Sequence, residues 1–293
     1  MKAALSFIAD LPLYEEEKPY ELWLPPEQLP KDIPVTNCQW IRQPDIEIED
    51  LRKSNAAVAL DTTGFKYLND PLDFELQGED LMSDTESENL VRYLNGTVDR
   101  VKKEFKADKA ICFDWRYRKS QQDSKDRPFL KYIPERGHAL NPASVVHADD
   151  SPDGGLARLK RHLTTEELKA FEDGKLHIRF VNFWRPLVPV VKDRPLSLCD
   201  RRSILGEDLV RCDKIRPEYV SEGLYLKYKP YHKWYWLSSQ TRDEPFLFIT
   251  WDSQAGETPA CPPHGAVELQ NAPASLPPRV SIEVRVMVLS VIG

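Results

Sequence analysis

From residue 176 onward the chain is a succession of short apolar segments, each closed by a turn signal, and this pattern most limits the folds open to it. Segments 176–183, 195–200, 224–228, 234–238, 246–251 and 281–291 read as strands, most of them rich in β-branched or aromatic residues, with Gly, Pro, Asp or Ser between them. Many short strands with regular punctuation predict a β-sandwich or barrel. Residues 109–118 alternate apolar and polar side chains and read as a further strand. Upstream, Ser83 or Asp84 is expected to cap a helix over 85–105, where Leu90, Tyr93, Leu94, Val98, Val101 and Phe105 repeat at helical spacing. That stripe reads as core packing. A second helix is expected over 155–171, after the turn at Ser151-Pro-Asp-Gly-Gly155. Residues 1–80, rich in Pro and acidic side chains, read as an irregular region packed on the rest. Residues 256–278, with six prolines, read largely as loop. Helices early and strands late predict a mainly β fold with supporting helices: a double-stranded β-helix, or cupin-like jelly roll. At 293 residues the chain can bury one large core, so a single domain over 1–293 is expected.

Composition narrows the partners. Forty basic residues against 47 acidic ones give a net charge of −7 with no basic stripe, which argues against nucleic acid. Cys38, Cys112, Cys199, Cys212 and Cys261 are scattered without CxxC spacing, so free thiols in a reducing compartment are expected. The apolar run before Asp10 is too short for a signal-peptide core, and no stretch is long enough to span a bilayer. A cytoplasmic protein with no membrane partner is the expectation.

His147-Ala148-Asp149 follows an apolar pair and reads as a strand running into a loop. Alternate residues of a strand share a face, so His147 and Asp149 can reach one ion while Ala148 turns away. Two imidazoles and a carboxylate can occupy one face of Fe(II), leaving the other open to substrate and dioxygen. Two histidines compete for the third place: His264, in Cys261-Pro-Pro-His264-Gly, and His232, in Tyr231-His232-Lys-Trp234. His264 is favoured because Arg279 and Ser281 follow it after room for a loop and a return strand. A guanidinium grips a carboxylate through two parallel N–H bonds. Arg279 with Ser281 is therefore expected to hold the far carboxylate of an iron-chelating 2-oxo acid, 2-oxoglutarate. Together these residues suggest a non-haem Fe(II) oxygenase consuming 2-oxoglutarate and dioxygen. Asp149 argues against halogenation, which needs that position vacated for a halide.

Plainer roles stand beside these. His147 could be a loop histidine bonded to Asp149 or Asp150, and Arg279 a strand-edge residue paired with Glu283 or Glu268. Asn182 either donates to 2-oxoglutarate or caps a turn; Arg185 either binds the cosubstrate or forms a buried ion pair with Asp200. The aromatic cluster Tyr225, Tyr228, Tyr231, Trp234, Tyr235 and Trp236 reads as core and sheet surface; any part lining a cavity would favour an organic substrate with apolar area. His138, His162 and His177 receive no role. An iron oxidase that does without 2-oxoglutarate, and a non-catalytic jelly-roll binding protein, are the other function classes considered.

Several motifs occur in order: Asn182-Phe-Trp-Arg-Pro-Leu187, Pro195-Leu-Ser-Leu-Cys-Asp200, His232-Lys-Trp-Tyr235, Asp252-Ser253, Pro263-His-Gly-Ala266 and Pro278-Arg-Val-Ser-Ile-Glu-Val-Arg285. On these, the chain from residue 61 to its C-terminus resembles the hydroxylase/desaturase family that includes AsaB, fungal gibberellin desaturase and the cephem 7-alpha-methoxylase component. The resemblance implies a jelly-roll enzyme using Fe(II), 2-oxoglutarate and dioxygen to hydroxylate or desaturate a small molecule, usually in secondary metabolism. It implies His147, Asp149 and His264 as ligands and Arg279 as the cosubstrate anchor. The family's His-x-Asp-Gln-Ser pattern is His147-Ala-Asp-Asp-Ser151 here, so Asp150 departs from it.

Overall fold

The computed structural model describes residues 1–83, 86–121, 138–256, 259, 261–270, 273 and 275–292. Among these, fifteen strands, numbered in chain order, form two sheets. The larger holds β1 (Lys2–Ile8), β2 (Tyr20–Leu22), β3 (Trp40–Asp50), β6 (His147–Ala148), β8 (Leu196–Cys199), β9 (Leu209–Ile215), β10 (Val220–Leu226), β11 (Trp234–Trp236), β13 (His264–Ala266) and β14 (Glu268–Leu269). Their spatial order is β14-β1-β3-β11-β8-β13-β6-β10-β9-β2. The smaller holds β4 (Phe65–Tyr67), β5 (Lys109–Lys119), β7 (Leu176–Pro186), β12 (Phe246–Asp252) and β15 (Val280–Val291), in the order β4-β12-β7-β15-β5. The expected jelly roll is the observed fold.

The smaller sheet is covered on its outer face by helices. Among α1 (Leu13–Glu16), α2 (Gly78–Met82), α3 (Glu88–Phe105), α4 (Pro152–His162) and α5 (Thr165–Glu172), α3 is the longest. Its apolar stripe packs on Val181, Phe183, Val284 and Val286 of β7 and β15. Each large apolar side chain buried this way contributes about 1.5–3 kcal/mol. Ser87, not Ser83, caps α3: its Oγ accepts the Leu90 N–H at 3.1 Å. Lys106 closes the helix in the left-handed conformation, φ 49°. Asp84 and Thr85, the other residues proposed for its start, lie outside the described residues.

Three expectations change. The helix foreseen over 155–171 is two helices, because Leu163 is extended and Thr164 starts α5 with a reciprocal capping box to Glu167. Residues 1–80 are not irregular throughout: β1 and β3 pair with each other and lie within the larger sheet. The signal in β3 was broken by Pro44 and by Asp45 at φ 61°, and its partner β11 comes far later in the chain. The proline-rich stretch after residue 256 contains β13 and β14, too short to show a period of their own.

α4 holds the loop that follows Asp149. Ser151 N–H donates to the Glu222 carbonyl at 3.1 Å, and Ser151 Oγ accepts the Gly154 N–H at 2.9 Å. Gly154 lies against the Glu222 carbonyl, and Gly155 lies under the Trp251 indole. The indole Nε1 donates to the Pro152 carbonyl at 3.2 Å. A methyl on Gly154 would run into backbone, which cannot swing aside. Gly154→Ala is expected to cost about 2–3 kcal/mol as an overpacked contact. A lower urea midpoint with unchanged slope would show this; an unchanged midpoint would mean that α4 is free to shift outward.

Candidate metal centre

His147 lies in β6, a two-residue strand that forms because its backbone is claimed from both sides. Tyr225 of β10 pairs with His147 on one side and His264 of β13 on the other. Val146 N–H donates to the Ser6 carbonyl at 2.8 Å, locking the approach to the motif. Paired residues on adjacent strands share a face, so both imidazoles point toward the smaller sheet, their ring centroids 4.5 Å apart. Asp149, just past the end of β6, keeps the same direction. Its Oδ1 is 3.8 Å from His147 Nε2. One donor atom from each of His147, Asp149 and His264 lies within 4.8 Å of the others.

Both imidazoles are set for a metal. His147 Nδ1 lies 2.8 Å from the Val145 carbonyl and His264 Nδ1 3.2 Å from the Pro262 carbonyl. A carbonyl only accepts, so each Nδ1 carries a proton and each Nε2 is the nitrogen left to face an ion. Burial, followed by the neighbouring His264, holds the His147 pKa well below the usual imidazole range, which keeps this ring neutral. Asp149 is held from the opposite sheet: Asn182 Nδ2 donates to Oδ2 at 2.6 Å and Arg285 Nη2 to Oδ1 at 3.0 Å. Burial opposes its ionisation, but the Arg285 charge outweighs it and holds the carboxyl far below the ordinary range. Two imidazoles and one carboxylate fit a divalent iron with an open face.

A second polar group, on the facing side, is only partly satisfied. Arg279 is 2% exposed; Nη1 donates to the Arg194 carbonyl at 2.6 Å and the guanidinium stands over the Trp184 ring. Arg279 Nε, Ser281 Oγ and Asn182 Oδ1 are buried without a hydrogen bond. The strand-edge pairing considered for Arg279 does not form: Glu283 bonds Arg285, and Glu268 bonds Arg42. Burial, then the charge of Arg118, pushes the Arg279 pKa down to about 9. A buried cation next to an unpaired hydroxyl is costly unless an anion completes it. A carboxylate of 2-oxoglutarate has the charge and acceptors to do so.

The family described as oxidoreductase/YMDC permease-like domain matches residues 5–289. The alpha-ketoglutarate-dependent dioxygenase tstK of Talaromyces stipitatus is 30% identical over 73% of this chain and 73% of its own. The chain belongs to the hydroxylase/desaturase family of Fe(II)/2-oxoglutarate dioxygenases. The Fe(II)/2-oxoglutarate-dependent dioxygenase nvfI of Aspergillus novofumigatus is 27% identical over 83% of this chain and 82% of its own. The hydroxylase/desaturase efuI of Hormonema carpetanum is 25% identical over 86% and 85%. In fold the chain is similar to the solved iron and alpha-ketoglutarate-dependent endoperoxidase NvfI, with a TM-score of 0.81, 24% identity, and coverage of 100% of this chain and 98% of that one. Among the described residues no helix is long and apolar enough to cross a membrane.

Two sequence candidates lie elsewhere in this dioxygenase. Arg185 projects from the far face of β7 and ion-pairs with Asp70, while Nη1 donates to the Asp70 and Arg242 carbonyls at 2.8 and 2.6 Å. It neither meets the cosubstrate site nor pairs with Asp200, which holds Arg202 at 2.7 Å. The reason is strand alternation: Asn182 and Trp184 face inward, so Arg185 must face α3, where it stands by Tyr93 and Phe183. His232 is not a ligand; it is buried 3.1 Å from Asp208 Oδ2. His177 pairs with Asp252, and His162 stacks near Phe113. Asp150, the departure from the family pattern, is held by Arg158 of α4 at 3.0 Å, another tie on the loop after Asp149. Arg285 was the residue overlooked. Its signal was present in Arg279-x-Ser281-x-Glu283-x-Arg285, whose period of two places Ser281, Glu283 and Arg285 on one face of β15 and Arg279 just before it.

Proposed function

We propose that this dioxygenase binds Fe(II) through His147, Asp149 and His264, anchors 2-oxoglutarate through Arg279 and Ser281, and hydroxylates or desaturates a small secondary metabolite. The observation that carries the reading is the pairing of two imidazoles and one carboxylate with Arg279 Nε and Ser281 Oγ, both buried without a hydrogen bond on the facing side. Bound iron, with 2-oxoglutarate and dioxygen, supplies the oxidising power to take hydrogen from an unactivated C–H bond.

The chain's own contribution is position and exclusion of water. The Val145 and Pro262 carbonyls fix the imidazole tautomers; Arg285 and Asn182 hold Asp149 ionised and aimed. Arg279 fixes the far carboxylate of the cosubstrate, and Ser281 Oγ donates to it. Asn182, which donates to Asp149, keeps its Oδ1 without a hydrogen bond. Strands β7 and β15 keep water from the inner end of the site with Phe180 and Trp184, both buried. The region 1–293 works as one domain, since β1 and β3 complete the sheet that carries the ligands. A reducing cytoplasm suits its five free cysteines.

Succinate release on mixing the protein with Fe(II), ascorbate and 2-oxoglutarate tests the reading. Iron binding without succinate formation would defeat it. Arg279→Ala is expected to raise the 2-oxoglutarate concentration for half-maximal turnover about 10- to 100-fold, the worth of a charge-assisted pair of about 1.5–3 kcal/mol. An unchanged cosubstrate requirement would remove Arg279 from the site.

A further inference from the structure

Lys214 and Arg216 are cations that the mechanism above does not use. Lys214 lies on β9, paired with Ser221 of β10, and is 9% exposed. Its face is the metal's face: His147 pairs with Tyr225, Tyr225 with Val210, and Lys214 follows Val210 at even spacing. The ammonium lies over Gly223, where the Asp149 carbonyl also approaches; no side chain at 223 could share that space. Nζ stands 5.4 Å from the Tyr225 ring centroid and 5.5 Å from that of Trp23, and the Arg216 guanidinium covers the other contact with Trp23 at 4.2 Å.

Among the described residues neither cation has a carboxylate. Arg285 has Asp149 and Glu283, Arg116 has Asp114, and Arg158 has Asp150. Glu21, the acid nearest by strand pairing, takes the Tyr225 hydroxyl at 2.8 Å and the Trp23 indole N–H at 3.2 Å. Arg216 Nε is buried with no hydrogen-bond partner. Cation–π contact offsets only part of the cost of burying the Lys214 ammonium and half-burying the Arg216 guanidinium. An anion is the missing partner.

That anion is not the 2-oxoglutarate carboxylate held by Arg279. In the larger sheet β8 lies two strands from β6 on one side and β9 two strands away on the other. Arg279 bonds the chain just before β8, at Arg194, whereas Lys214 lies on β9. Strands β8 and β9 each lie about 10 Å across the sheet from β6, in opposite directions. We propose that Lys214, supported by Arg216 and Trp23, anchors a carboxylate of the organic substrate beside the metal centre. The inference rests on the oxygenase reading and names the substrate class: an acid whose apolar body carries the reacting C–H bond, its carboxylate turned away from the cosubstrate.

Calorimetry on the full chain loaded with Fe(II) and 2-oxoglutarate under nitrogen tests this, using 2-naphthoate and its uncharged match, methyl 2-naphthoate. The acid is expected to bind at least about tenfold more tightly than the ester, as one charge-assisted contact would give. Lys214→Met should abolish that preference without weakening 2-oxoglutarate, Arg216→Met should reduce it, and Lys214→Arg should restore it. Equal binding of acid and ester, no saturable binding of the acid, or an unaltered preference in Lys214→Met overturns the proposal. So does a loss of 2-oxoglutarate affinity in Lys214→Met, which would assign the ammonium to the cosubstrate. Failure of the oxygenase reading is seen separately, as absence of succinate release from the wild-type protein.

Discussion

Asp149→Ala and His147→Ala are each expected to abolish Fe(II) retention while leaving the fold intact. Removing a ligand from a three-residue set costs more than the 10- to 100-fold typical of losing a supporting partner. The fold survives because β6 is held by backbone pairing to β10 and β13, which neither side chain provides. In Asp149→Ala the Arg285 guanidinium keeps Glu283 at 3.0 Å and Asp114 at 3.6 Å, so no bare charge is left inside. Iron content after desalting, read beside the circular dichroism spectrum, checks both halves. Stoichiometric iron in either variant would disprove the assignment of the ligand set. Lost iron with a collapsed spectrum would mean that the motif is structural.

Arg285→Met is expected to reduce iron affinity about 10- to 100-fold although Arg285 touches no metal. Burial disfavours the Asp149 carboxylate, and the Arg285 charge is the largest influence working against burial. Without it the carboxyl pKa rises toward the ordinary range, so protons compete with the metal more effectively as the pH falls. The deficit should therefore deepen on acidification, whereas the wild-type protein, with Asp149 ionised throughout, should show less change. Arg285 is itself stabilised as a cation: burial opposes its charge, but Asp149, Glu283 and Asp114 raise its pKa further. Iron titrations of both proteins at several pH values decide this; parallel affinities would show that Asn182 alone orients Asp149.

The reading of this chain succeeded where local chemistry carries its own signature. The stripe in α3 and the alternation in β5, β7 and β15 reveal elements that bury one or both faces against neighbours. The single-residue gap in His147-Ala-Asp149 needs nothing more than strand geometry to point two ligands one way. It failed where partners are distant. β3 looked irregular because the strands beside it come from both ends of the chain, and β13 is three residues long. Arg185 reads from its segment as either a cosubstrate contact or a partner of Asp200, while parity along β7 sends it to α3 and Asp70.

Sequence alone settled the kind of chemistry available, because imidazole, carboxylate and guanidinium bring their donors and charges wherever they sit. It settled the class of fold as well, because hydrophobic spacing measures which faces must leave water. Tertiary structure decided which histidine joins the pair, what keeps Asp149 ionised, and which cations stay without an acid. Those depend on strand order and on the low dielectric between two sheets, and neither exists until segments far apart in the chain have closed on one another.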